Sequence, residues 1–365
     1  MISLLLGAAW ADCQLAVVVP GSMVTGVMIG SSWLTTGSVV RIHEACLVGW
    51  RVTVLSENWH YRNPEMRRLA PGADVCVPAG ALLHLEAYSL LAMVPPPDGS
   101  EGLTPGTLLP ALTCRDDGYF AEGIGKITPD MLTWVRPVSA TQLDDIRTIQ
   151  QTYEALFGPL SLGAIPFTDW GYVGLPLPDR LTDAEIAAEA AAEGLLTERQ
   201  REKVTTDLGP MRDGAPVYTH FTGADARFTD LWAEPETIIS LLKLAASWAA
   251  LCEADNPRSC TLQIGDLAWY GDVLPDPLGH RDHHRGMCVD IRLFRDDGSR
   301  YEAYHNRSDD RDGVSGGYSA SLTTAFLRLA ASEANTLYFN DPAIIADVPA
   351  VQARRGHDDH IHLCF

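Results

Sequence analysis

The chain has 365 residues, 46% of them hydrophobic and 20% charged, an ordinary globular composition that argues against disorder and leaves room for two or three domains. A formal net charge of -20 at pH 7, with no local run of Lys and Arg to offset it, argues against nucleic acid and anionic lipid as partners. The eight cysteines include no CxxC pair, which disfavours cysteine-rich zinc fingers and thioredoxin-like sites; their even count leans toward an oxidising compartment, with free buried thiols as the alternative.

Residues 1–12 are a signal-like segment: the apolar run Ile2 to Trp10 ends at Ala9-Trp10-Ala11, which resembles a secretory cleavage site but lacks a basic leader, so export stays open from this stretch. Across residues 13–94, short Val-, Leu- and Ile-rich runs (Leu15–Val19, Val39–Ile42, Trp50–Leu55, Leu82–Leu85) alternate with Gly, Ser, Asn and Pro. That pattern predicts a small β-rich domain. The Pro- and Gly-rich stretch 95–110 reads as a linker.

Residues 111–206 form a mixed, partly helical connecting region. Ser139 with Gln142 and Thr182 with Glu185 have capping-box spacing, so helices are expected over Thr141–Phe157 and Asp183–Glu193. Residues 207–365 read as an α+β domain built on a short antiparallel sheet. Its expected elements are a helix from Pro235 through Leu251 with a broad apolar face, a strand Thr261–Ile264, a strand Val289–Leu293, a helix Ser321–Ala331, a strand Thr336–Phe339 and a strand Ile361–Phe365. The apolar helix is too short to span a bilayer and carries Lys243, so no transmembrane anchor is expected. Cys252 and Cys260 bracket a loop as either a disulfide or two thiols.

Two histidine clusters lie in this last domain, Gly279-His280-Arg281-Asp282-His283-His284-Arg285-Gly286-Met287-Cys288-Val289-Asp290 and His357-Asp358-Asp359-His360-Ile361-His362. Two imidazoles with one carboxylate make the three-ligand set that leaves zinc an open position for water. His283 and Asp290 are seven residues apart with Gly286 between them, and His360 and His362 share a strand face. If the two strands are antiparallel neighbours with Asp290 opposite His362, then His283, Asp290 and His362 form the zinc site. The same register sets Cys288 opposite Cys364, as a disulfide or a close thiol pair. His360 is expected to take the water's proton or stabilise the oxyanion, with His357 and His280 in related roles. Alternation turns Asp359 off the metal face, making it and Asp358 outer carboxylates. His284 and His305 are read as ordinary surface or core histidines.

Gly279-His280-x-x-His283-x-x-Gly286-x-x-Val289-Asp290-Ile291, preceded by Ile264-Gly265-Asp266-Leu267 and closed by His357-x-x-His360-x-His362, resembles the penicillin-insensitive murein endopeptidases. These sit in the wider group of lysostaphin-type peptidases, D-Ala-D-Ala metallopeptidases and hedgehog domains. The resemblance covers roughly Asp207 to Phe365, including Asn340-Asp341-Pro342-Ala343-Ile344. It implies a periplasmic or extracellular Zn2+ peptidase that cuts D-alanyl to meso-diaminopimelyl cross-links in peptidoglycan stem peptides. It also implies His283, Asp290 and His362 as metal ligands and His357 and His360 as active-site histidines, and it matches His280 to a further motif histidine whose role, binding of a second metal included, it leaves open. His284-Arg285 and Cys288 depart from the usual pattern, which bears on substrate preference. A D,D- or L,D-carboxypeptidase and a non-catalytic zinc-stabilised cell-wall-binding domain are the competing expectations.

Overall fold

The computed structural model describes residues 14–18, 26–29, 31–35, 38–55, 69–84, 88–93, 103–109, 112–115, 118–121, 124–128, 131, 135–167, 171–180, 204–222, 231–268, 283–298 and 318–365. The architecture is α+β, rich in sheet with few helices, and falls into two compact units: residues 1–144 with 161–164, and residues 145–160 with 165–365. Among the described residues no helix is long and apolar enough to cross a membrane.

In the first unit a five-stranded antiparallel sheet runs in the order Asp74–Pro78, Gly49–Val54, Val39–Cys46, Gln14–Val18, Leu82–His84. Period-two alternation builds it: Val52 and Val54 are buried while Arg51 between them and the strand's start faces water, and Val40, Ile42 and Val77 join the same core. Cys46 and Cys76 are disulfide-bonded. A second core gathers Leu90, Leu109, Ile127 and Val135. The expected linker at 95–110 is corrected here, because its described part belongs to the first unit. Leu108–Leu109 pairs with Tyr88–Ala92, and Leu109 is buried. The Pro105-Gly106 dipeptide makes a turn into this strand, with Gly106 at φ 86, rather than a break between domains.

Helix α1, Ala140–Phe157, starts as its capping box dictates: the Ser139 amide donates to Gln142 Oε1 (3.0 Å) and the Gln142 amide to Ser139 Oγ (3.2 Å). The second capping box and the helix expected at Asp183–Glu193 lie outside the described residues.

The second unit is organised on an eight-stranded mixed sheet. Its strands in chain order are β1 (Asp179–Arg180), β2 (Val204–Leu208), β3 (Tyr218–Thr222), β4 (Leu262–Ile264), β5 (Cys288–Arg292), β6 (Thr336–Tyr338), β7 (Val351–Gln352) and β8 (His360–Cys364). The spatial order is β1-β2-β3-β4-β5-β8-β6-β7. The sheet is therefore larger than expected and not wholly antiparallel: β3 and β4 are parallel, as are β6 and β7. A parallel pair needs a crossover connection. Helix α2 (Pro235–Leu251) lies between β3 and β4 in the chain, and helix α4 (Pro342–Asp347) between β6 and β7.

Pro235 opens α2, where its missing N–H costs nothing. The helix buries Ile238, Leu241, Leu242, Leu244, Ala245 and Trp248, but Leu251, expected on that face, is 61% exposed because the helix ends there. Helix α3 (Ala320–Ala330) starts one residue before the expected position, with Ser319 Oγ accepting from the Leu322 amide at 3.3 Å. Trp248 meets Phe294 at 4.9 Å and Phe326 at 5.5 Å, tying α2 and α3 into one aromatic core. Strand β5 is buried at every position, with Val289 and Ile291 on one face and Cys288, Asp290 and Arg292 on the other. Burying Val or Ile in this way contributes about 1.5–3 kcal/mol per side chain, enough to hold a polar row on the opposite face.

Candidate metal centre

Strands β5 and β8 pair antiparallel with Cys288 opposite Cys364, Asp290 opposite His362 and Arg292 opposite His360. This is the register that the sequence reading posed as the condition for a shared ligand face. His283 comes from a single 3-10 turn, His283–Arg285, and Gly286 then carries the chain into β5. Gly286 has φ 64, and its amide donates to the His283 carbonyl at 2.9 Å. A Cβ there would meet the Glu234 amide nitrogen at 2.8 Å, so only glycine lets the turn pack against the entry to α2.

His283, Asp290 and His362 converge, with potential ligand atoms all within 4.8 Å of one another and all three side chains buried. Asp290 Oδ1 lies 3.2 Å from His283 Nε2 and 2.8 Å from His362 Nδ1. Zinc bonds of about 2.0–2.1 Å at tetrahedral angles put neighbouring ligand atoms about 3.3 Å apart, so these spacings fit a divalent ion with little movement. Two imidazoles and a carboxylate are also the right donor set for zinc.

The electrostatics follow from this crowding. Burial opposes ionisation of Asp290, yet the neighbouring His360 and His283 outweigh it and hold the carboxyl well below the usual range. Burial likewise disfavours a charged His283, but Asp290 overrides it and the pKa rises.

His360 stands beside the group, its Nε2 3.6 Å from Asp290 Oδ2 and its Nδ1 2.6 Å from Asp359 Oδ1. Burial would lower its pKa, but Asp290 and Asp359 push it up to about 9. His357 Nδ1 faces the carbonyls of Arg354 (3.1 Å) and Arg355 (3.3 Å), so that nitrogen carries the proton and Nε2 is left free. Burial, then the charges of His360 and His362, lower its pKa to about 4. The His357 ring packs 4.9 Å from that of His360 and 5.2 Å from that of His362. His280 and His305 lie outside the described residues.

Two contributors were not assigned roles from the sequence. Tyr338 on β6 is opposite His362, stacks on its ring at 5.6 Å and meets His357 at 5.3 Å. Arg354 lies over the other partner of that stack, 4.7 Å from the Tyr338 centroid. Asp266 follows β4, and its carboxylate adds to the upward pull of Asp290 on His283 and His360, while at the buried His220 it only partly offsets the larger lowering by burial. The strand containing Tyr338 was legible, but its register against β8 was not.

Cys288 and Cys364 are joined by a disulfide, as are Cys252 and Cys260, which settles two pairings that the sequence left open. No family model and no curated protein matches this chain.

Proposed function

We propose that this chain is an exported zinc-dependent peptidoglycan endopeptidase that hydrolyses the D-alanyl to meso-diaminopimelyl cross-link. The observation carrying the hydrolase part of this reading is the convergence of His283, Asp290 and His362 beside two further histidines that are not part of the three-ligand group; the substrate is what the resemblance of the two histidine motifs implies. A zinc ion held by the three would supply Lewis acidity toward a carbonyl and a water whose pKa falls from about 15.7 toward about 7.

The chain's own residues do the rest. His360, oriented by Asp359, is placed to move a proton at the reacting centre or to donate to a developing oxyanion. His357, its Nδ1 committed to backbone carbonyls, offers Nε2 as an acceptor. Tyr338 fixes the plane of His362. A purely structural zinc site would close its fourth position with a protein ligand. The three disulfides among the described residues also support an oxidising, periplasmic or extracellular location.

The test is digestion of cross-linked sacculi followed by mass spectrometry. Purified protein is expected to hold about one zinc per chain and to convert dimeric muropeptides to monomers in a chelator-sensitive way. Trimming of free stem peptides with dimers left intact would instead make it a carboxypeptidase. Inactivity on both with zinc retained would leave a binding domain.

A further inference from the structure

We propose that Cys288 and Cys364 form, with His362, a second and latent metal site that opens when their disulfide is reduced. Cys288, His362 and Cys364 bring their potential ligand atoms within 4.8 Å of one another, and Cys364 Sγ lies 3.3 Å from His362 Nε2. The opposite ring nitrogen, Nδ1, faces Asp290. A neutral imidazole has one lone pair in the ring plane, so His362 serves either the His283–Asp290 set through Nδ1 or the thiolate set through Nε2.

The disulfide is thus more than a staple between β5 and β8. Thiolates are soft ligands that favour zinc, and two of them beside the same imidazole would compete with an Asp and a His for the ion. Oxidation removes both competitors, since neither sulfur of a disulfide is a thiolate. The inference rests on this geometry alone and holds whether or not the neighbouring cluster is hydrolytic.

Reduction requires a dithiol, either a small molecule or one carried by a protein. Its thiolate attacks the sulfur of half-buried Cys364, the more exposed residue of the pair, the Sγ–Sγ bond breaks, and buried Cys288 leaves as thiolate. The second thiol of the reductant displaces Cys364, and the reductant departs as its own disulfide. Two electrons pass to the cysteine pair. A divalent ion then binds two thiolates and His362 Nε2, and the His283–Asp290 set is left one ligand short.

Cobalt(II) reports the difference, because thiolate ligation gives an intense charge-transfer band that nitrogen and oxygen ligands do not. The oxidised protein is expected to bind cobalt without this band. Protein reduced with dithiothreitol and desalted without oxygen is expected to gain it, and a reduced Cys288→Ser/Cys364→Ser variant is expected to lack it.

Reduction also opens the other disulfides, so an unreduced Cys288→Ser variant supplies a second arm. With those bonds intact and one thiol beside His362, it is expected to show a weaker, one-thiolate band that His362→Gln removes. Absence of the band from Cys288→Ser overturns the proposal, as does its survival in the added His362→Gln background or equal intensity in the reduced double variant and the reduced wild type. Loss of cobalt binding by the oxidised protein would strike the hydrolase reading and leave this one standing.

Discussion

At the residue scale the proposed reading separates the cluster into side chains that would hold a cation and side chains that would act beside it. His283 Nε2 points at Asp290 Oδ1, whereas His360 is anchored through Asp359 and reaches only the other Asp290 oxygen, at 3.6 Å. His283→Ala is therefore expected to lose both metal and hydrolysis, while His360→Ala keeps the metal and loses turnover by about 10²–10⁴-fold, the usual worth of a proton-transfer group. Metal analysis with muropeptide kinetics on the two variants checks this, and a fully active His360→Ala would sink the mechanism. These residues were legible because strand alternation assigns faces from spacing alone: His360 and His362 are two positions apart with one residue between them, and so are Cys288 and Asp290. Tyr338 was not legible in this role, since its contact with His362 depends on the register of β6 against β8.

At the element scale the site depends on one turn. The 3-10 turn holding His283 is fixed by Gly286, whose carbonyl accepts from the Glu234 amide at 2.9 Å while its own amide caps the His283 carbonyl. Gly286→Ala must adopt φ 64 and push a methyl against backbone at the start of α2. It is expected to cost about 1–3 kcal/mol of stability and to weaken metal binding by about 10–100-fold, as loss of a supporting contact does. Thermal unfolding and zinc titration measure both effects, and unchanged zinc affinity would show that the turn does not set the position of His283. Capping boxes, first-turn proline and apolar periodicity gave most described helices to within a residue, because they act locally. The two-residue strands β1 and β7 carry no period of their own, and they exist only because β2 and β6 pair with them.

At the scale of the whole molecule, the sheet of the second unit buries a further histidine that the sequence reading did not single out. His220 on β3 is fully buried, and burial lowers its pKa to about 4, with Asp266 pulling the other way. A pKa depressed on folding from 6.5 means that the unfolded chain binds the proton first as pH falls. The stabilising contribution is then complete above pH 6.5 and is lost as pH drops through 6.5 toward 4. It amounts to about 3 kcal/mol at most, at about 1.4 kcal/mol per unit. Urea unfolding of the metal-free protein, compared with His220→Gln, is expected to show that much less acid sensitivity in the variant; parallel pH profiles would refute the assignment. The sequence by itself determined the α+β character of the last domain, the starts of α1, α2 and α3 to within a residue, the shared strand faces of Cys288 with Asp290 and of His360 with His362, and the donor types of the cluster, all of which follow from short-range periodicity and residue type. Only the tertiary structure decided the eight-strand mixed order, the inclusion of 103–109 in the first unit, the oxidation of Cys288 with Cys364 and the stacking of Tyr338 on His362. Each of these depends on which strands become neighbours, and that is set by burial summed over segments far apart in the chain.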